Sequence, residues 1–278
     1  MIDFNQSLFD NCRDRVLLCA HRGQSGGNIP CNTEAAFKAA LLQHADMVEL
    51  DVSKSRDGTF FVFHPGMESA HLNKHCSIGA KSTKSVEKFR FVNQDNDATA
   101  YPICRLEDIF DFLRGKCYIN VDKFWTDIPG ITACIRRCGV EKQVVVKTST
   151  KQSYLDAVAE LAPDLMFMPM VKSKDTVTEE LIRKGVNCIG AEVIFYSESD
   201  EVCSPAYIEK MHAMGNVLFA DAIVYNYKVQ LAAGHSDDSS LINGPETGWG
   251  WLADRGFDII QTDWTGTAHD YLVNRGKR

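Results

Sequence analysis

The stretch VELDVSKSRDGTFFVFH, residues 48–64, decides how this chain is read. It is an apolar run broken by two acids, a turn at Asp57-Gly58, and a second apolar run that ends on His64. Side chains alternate along a strand, so Glu49 and Asp51 point one way and Val48, Leu50 and Val52 the other. The valines and leucine call for covering helices. The two carboxylates then face the inside of a closed sheet, where they repel unless a cation or a base stands between them.

Outward from this stretch, β-rich runs alternate with helical patterns. Strand candidates are residues 15–20, 47–52, 59–64, 117–122, 143–148, 165–171, 188–195, 217–224 and 258–263. Helix candidates are residues 33–44, 105–115, 129–138, 151–162, 176–185, 204–215 and 244–256. Asn32 or Thr33 caps the first helix, Ser204-Pro205 opens another, and Gly115, Gly139, Gly185, Gly215 and Gly256 stand where helices should stop. Near-continuous hydrophobic strands alternating with helices mean a parallel sheet covered by helices. With 47–64 taken as one strand plus a short excursion, the tally is eight βα units, the content of an α/β fold of the (β/α)8 TIM-barrel type. A doubly wound open sheet is the alternative, but HRGQSGG after the first strand has the wrong glycine spacing for a dinucleotide turn. No repeat, low-complexity tract or linker divides the chain, so residues 1–278 read as one domain. The long irregular segment is 65–104, an insertion of a size that serves an active site or moves over it.

Composition narrows the function. The chain has 278 residues, 45% of them hydrophobic, enough for a substantial core, and a net charge of −7. An acidic chain with no basic block argues against nucleic acid as a partner. It leaves room for an anionic small molecule, because a bound cation makes a site locally positive. The N-terminal apolar run VLLCA is too short for a secretory signal, and no stretch reaches the roughly 18 apolar residues of a membrane span. The expected location is the cytoplasm. None of the ten cysteines forms C-x-x-C, and they are expected to be reduced thiols. His71 and His75 lack companions for a metal site.

In a TIM barrel the chemistry sits at the C-terminal rim of the strands. The polar residues expected there are His21 and Arg22, Glu49 and Asp51, His64, Asp122, Lys147, Glu192, Asp221, and Asp263 with Trp264. Glu49, Asp51 and Asp122 together offer hard oxygen ligands suited to one divalent cation, Mg²⁺, Ca²⁺ or Mn²⁺. Spacing alone equally allows an ion network with Arg22 or a lysine. Two histidines flanking such a site supply a general base and a general acid, and Arg22 supplies a fork for a phosphate oxygen. Glu192 either touches the substrate or pairs with Lys147, with pairing favoured. Trp264 stands at the mouth as a candidate substrate contact, and Asp221 and Asp263 read as hydrogen-bond acceptors.

The order His21-Arg22-Gly23, Pro30-Cys31-Asn32-Thr33, Glu49-Leu50-Asp51, Asp57-Gly58 and His64 resembles the glycerophosphodiester phosphodiesterase family. Asn120-Val121-Asp122 and Thr262-Asp263 resemble its later strands more loosely. The resemblance implies a TIM barrel with one divalent cation on Glu49, Asp51 and Asp122. It implies His21 and His64 as the acid–base pair, Arg22 on the phosphate, and metal-dependent hydrolysis to sn-glycerol 3-phosphate and an alcohol. A lyase that closes a cyclic phosphate and a barrel that only binds are the alternatives. The chain departs from the family in three places. Cys31 replaces a glutamate, Pro65-Gly66 follows His64 where an aspartate is usual, and Lys123-Phe124 after Asp122 leaves no inward lysine two residues on. Lys147, from the next strand, is expected to supply that charge, with Lys147→Ala costing activity far more than stability.

Overall fold

The protein is described from a computed structural model covering residues 2–4, 6–225 and 228–278. The eight barrel strands are β1 (Leu17–Ala20), β2 (Met47–Lys54), β3 (Tyr118–Asp122), β4 (Val144–Ser149), β5 (Met166–Lys172), β6 (Gly190–Ile194), β7 (Val217–Asp221) and β8 (Ile259–Thr262). Each pairs in parallel with its neighbours, and β1 pairs with both β8 and β2, so the sheet closes. The helices that follow the strands are α1 (Glu34–Leu42), α2 (Leu106–Leu113), α3 (Ile128–Cys138), α4 (Gln152–Leu161), α5 (Thr178–Arg183), α6 (Pro205–Ala213), α7 (Trp249–Arg255) and α8 (Thr265–Asn274).

Strand alternation sorts the side chains as expected. Val48, Leu50, Val52, Ile119, Val121, Val144 and Val146 pack outward against Phe37, Phe110, Ile131, Ile135 and Val158 of the helices. The opposite parity fills the barrel: Leu17, Cys19, Met47, Tyr118, Val145, Val217, Phe219 and Ile259 form one cluster, joined by Leu8 and Cys12 of a short N-terminal helix. In the layers above, the same inward parity carries Glu49, Asp51, Asn120, Asp122, Lys147, Glu192, Asp221 and Gln261.

Helix α8 was not among the expected helices. Thr, Gly and His dilute its pattern, yet Thr265, Ala268 and Leu272 bury one stripe at helical spacing. The insertion lies where expected and is built of short elements. Phe60–Val62 pairs antiparallel with β2, and Glu68–Leu72, Thr83–Val86 and a hairpin of Arg90–Val92 with Ala98–Pro102 follow. Phe61, Phe63, Leu72, Ile78, Val86, Phe91 and Ile103 form a cluster of their own under it. Burying such side chains contributes roughly 1.5–3 kcal/mol each, so the lobe is held by packing. Among the described residues, no helix is long and apolar enough to cross a membrane.

Candidate active site

The site begins where the chain leaves β1. Arg22 and Gly23 take left-handed backbone conformations in succession, with φ of 56° and 77°. A Cβ on Gly23 would lie 2.7 Å from the backbone carbon of Ala36, so glycine is needed both for φ and for the close approach of α1. This turn aims the Arg22 backbone N–H at Glu49 Oε2, 3.0 Å away, and brings its side-chain Nε to 2.9 Å from Asp51 Oδ2. The latter is an ion pair without hydrogen-bond alignment. Asn32 is a third left-handed residue, at φ 58°. Its side-chain N–H donates to Asp51 Oδ2 at 2.9 Å, and its Oδ1 accepts the Asp51 backbone N–H at 3.3 Å. Thr33 then caps α1 by accepting from the Ala36 N–H. One tetrapeptide, Pro30 to Thr33, thus starts a helix and clamps an acid.

Glu49, Asp51 and Asp122 are brought together as the strand parity required. Asp51 and Asp122 are direct register partners on β2 and β3, and one oxygen from each of the three acids lies within 4.8 Å of the others. Glu49 and Asp51 are buried, at 1% and 0% exposure. Burial, then the neighbouring Asp51, push Glu49 up to about 7. Burial acts the same way on Asp122, but Lys147 and Lys123 outweigh it and hold that carboxyl down at about 2.

Lys147, the residue expected to supply positive charge beside Asp122, does act on that carboxyl, and Lys123, which was not expected to face the site, adds a second charge. Lys123 has φ 60°, so strand alternation breaks at that residue and its side chain turns back over the site. Its Nζ lies 2.6 Å from Asp122 Oδ2 and 3.6 Å from Asp51 Oδ1. Lys147 does not lie on the surface; it is 3% exposed, and its Nζ donates to Glu192 Oε2 at 2.8 Å. Glu192 is equally buried, and the pairing favoured over substrate contact is the contact present. Beside the pair, Gln261 donates to Asp221 at 2.7 Å, and burial, then Glu192, push Asp221 well above the usual carboxylate range.

The two histidines stand at the edges of the acid cluster. The Nδ1 of His21 lies 2.9 Å from Asp263 Oδ1. Burial opposes its protonation, but the Asp263 hydrogen bond and Glu49 prevail and raise it above the usual value. The Nδ1 of His64 lies 2.8 Å from the Pro65 carbonyl, which can only accept, so the proton of the neutral ring sits there and Nε2 carries the lone pair. That Nε2 is 3.9 Å from Asp51 Oδ1. Burial lowers His64 below the usual value. Trp264 follows Asp263 on the rim with 48% of its surface exposed.

Three further residues were given no site role from sequence, Asn120 having been noted only as a motif member. Asn32 was noted only as a cap and motif member. Asn120 is wholly buried, faces Glu49 in register, and has neither side-chain polar atom hydrogen-bonded. Asp237 accepts from Trp249 Nε1, Thr262 Oγ1 and the Asp263 N–H at 2.6–2.8 Å, and so fixes the end of β8 that carries the His21 partner. The only sequence trace of Asp237 is the Ser-Asp start of a helix.

The donor set fits a hard divalent cation. All three candidate ligands are carboxylates, and Asp51 Oδ1 is buried without a hydrogen-bond donor. Arg22 and Lys123 partly compensate the acids, as an ion network would.

The family DUF4996, described as a domain of unknown function, matches residues 167–272. A glycerophosphodiester phosphodiesterase of Caldanaerobacter subterraneus subsp. tengcongensis is 28% identical over 159 residues, 54% of this chain and 65% of that protein. An uncharacterized Bacillus subtilis protein, YqiK, is 28% identical over 52% of this chain and 63% of its own length. The matched part thus spans just under two thirds of these relatives. A crystal structure of a glycerophosphoryl diester phosphodiesterase from Parabacteroides distasonis superposes with a TM-score of 0.77 at 21% identity, over 97% of this chain and 93% of that one. An Oleispira antarctica phosphodiesterase in complex with the product sn-glycerol-3-phosphate superposes with a TM-score of 0.69 at 17% identity, over 96% and 100% of the chains. In sequence over about half its length, this chain is similar to a glycerophosphodiester phosphodiesterase, and over nearly all of it the fold is the one those enzymes' structures show.

Proposed function

We propose that this chain hydrolyses a glycerophosphodiester to sn-glycerol 3-phosphate and an alcohol, with one divalent cation held by Glu49, Asp51 and Asp122. The observation that carries the reading is the convergence of three carboxylates between two histidines whose protonation is pushed in opposite directions. A bound Mg²⁺, Ca²⁺ or Mn²⁺ supplies Lewis-acid stabilisation of charge on the phosphoryl group.

The chain's own groups do the rest. The Arg22 guanidinium, set beside Asp51, presents N–H donors to a phosphate oxygen. Lys123 adds a second positive charge at the same edge. His64, with its lone pair on Nε2, takes a proton from the substrate hydroxyl that attacks phosphorus as the alcohol leaves, and water then opens the resulting cyclic phosphate to glycerol 3-phosphate. His21, whose protonated form the Asp263 hydrogen bond favours, gives a proton to the leaving alcohol oxygen. Lys147 and Glu192 set the field beneath the acids, and Trp264, exposed on the rim, is a candidate substrate contact. We take residues 1–278 as the working domain and the cytoplasm as its setting, the latter on the absence of any C-x-x-C pairing in the sequence.

The test is hydrolysis of glycerophosphodiesters with each cation, with EDTA and His64→Ala as controls. Metal-dependent release of glycerol 3-phosphate, lost in the variant, is expected. A cyclic phosphate product would move the protein to lyase chemistry. Binding without turnover of any diester would leave a silent barrel.

A further inference from the structure

A cavity of about 310 Å³ lies between the loop after β1 and the inserted lobe. Its inner end is formed by Cys31 and His71, whose Sγ and Nδ1 are 3.8 Å apart. Cys31 adjoins Asn32, which clamps Asp51, and both Cys31 and His71 lie within the field of Arg22 and Asp51. The cavity therefore abuts the phosphate end of the site. Its outer side is strapped by a hydrogen bond from Asn93 Nδ2 to Asn28 Oδ1, at 2.9 Å.

The walls are apolar at Ile29, Pro30 and Val92, with neutral hydrogen-bonding groups at Ser25 and Gln94. Among the described residues, no Asp, Glu, Lys or Arg lines it. Burial, with Arg22 adding, lowers His71 to about 4, so the imidazole is uncharged at neutral pH. A quaternary or primary ammonium is held by a carboxylate or by open aromatic faces. Neither is offered here: Phe91 is wholly buried and packs on Phe63, ring centroids 5.8 Å apart.

We infer that this cavity receives the alcohol half of the diester and selects an uncharged polyol head, glycerol or a cyclitol, over choline or ethanolamine. The inference rests on the phosphodiesterase reading above. Hydroxyls bond to the neutral polar groups while the carbon skeleton lies against Ile29, Pro30 and Val92. An ammonium in the same place loses water and gains no counter-charge.

The experiment compares kcat/KM for glycerophosphoglycerol, glycerophosphoinositol, glycerophosphocholine and glycerophosphoethanolamine with the preferred cation. The polyol substrates should lead by about tenfold or more, the scale on which an unmatched polar or charged group is rejected. Gln94→Glu should narrow that ratio by improving the cationic substrates. Ala70→Trp, at the cavity wall, should raise KM for the polyols with little change in kcat. Equal or choline-favouring efficiency, or a ratio unmoved by Gln94→Glu, would overturn the inference and leave the phosphodiesterase reading standing. No turnover of any of the four with Mg²⁺, Ca²⁺ or Mn²⁺ would overturn both.

Discussion

Replacing Lys147 with methionine keeps the length of the side chain and removes its charge. Lys147 and Glu192 are each 3% exposed and 2.8 Å apart. At that distance and an effective dielectric of about 20, their attraction is roughly 6 kcal/mol, most of it offset by the water both groups give up. The variant loses the attraction and keeps the buried carboxylate, beside Asp221 and near Asp122. Orphaning one partner of such a pair costs about 3–5 kcal/mol. For a chain of this size that corresponds to a fall in Tm of roughly 10 °C. Urea and thermal denaturation at pH 7 without added metal measure it. The loss should shrink as pH falls and Glu192 takes up a proton. Removing both charges, Lys147→Met with Glu192→Met, should recover at least half. A single variant within about 1 kcal/mol of the parent, or a double variant no better than the single, would refute the reasoning. From sequence, Lys147→Ala was expected to cost activity far more than stability; the burial of the pair predicts a large stability cost as well.

Glu49 gives a pH signature. Its carboxyl is raised to about 7 in the folded chain from a usual 4.5, so the metal-free protein should lose stability as pH rises from about 4.5 to 7, by roughly 3 kcal/mol. Glu49→Gln, or a saturating divalent cation, should flatten that slope, and an unchanged slope in the variant would rule the assignment out. Asp122, held at about 2, works the other way: its contribution is present above pH 4 and is lost as pH falls through 2. Gly23→Ala should destabilise by about 2 kcal/mol or more through φ 77° and the clash with Ala36, seen as a lower urea midpoint. Asp263→Asn removes the group that raises His21, so the alkaline limb of the kcat/KM profile should move to lower pH; a limb that stays put would detach His21 from acid catalysis.

The inward face of residues 48–64 was legible in the sequence because alternation is local: steric preference fixes the parity of Glu49 and Asp51 whatever surrounds them. The eight βα units were legible from periodicity and turn signals, both histidines from their places at strand ends, and Gly23 only through the motif resemblance. Lys123 was not, because one left-handed residue at the end of β3 reverses its side chain, and nothing in Asp-Lys-Phe announces that turn. The sequence by itself therefore determined the barrel, the parity of its strands and the residues at their ends. Only the closed barrel decided which charges meet: Lys147 with Glu192 across 45 residues, His21 with Asp263 across 242. Those pairings depend on strand register and on burial, which remove water and make each charge answer to its neighbours, and such neighbours exist only once the sheet has closed.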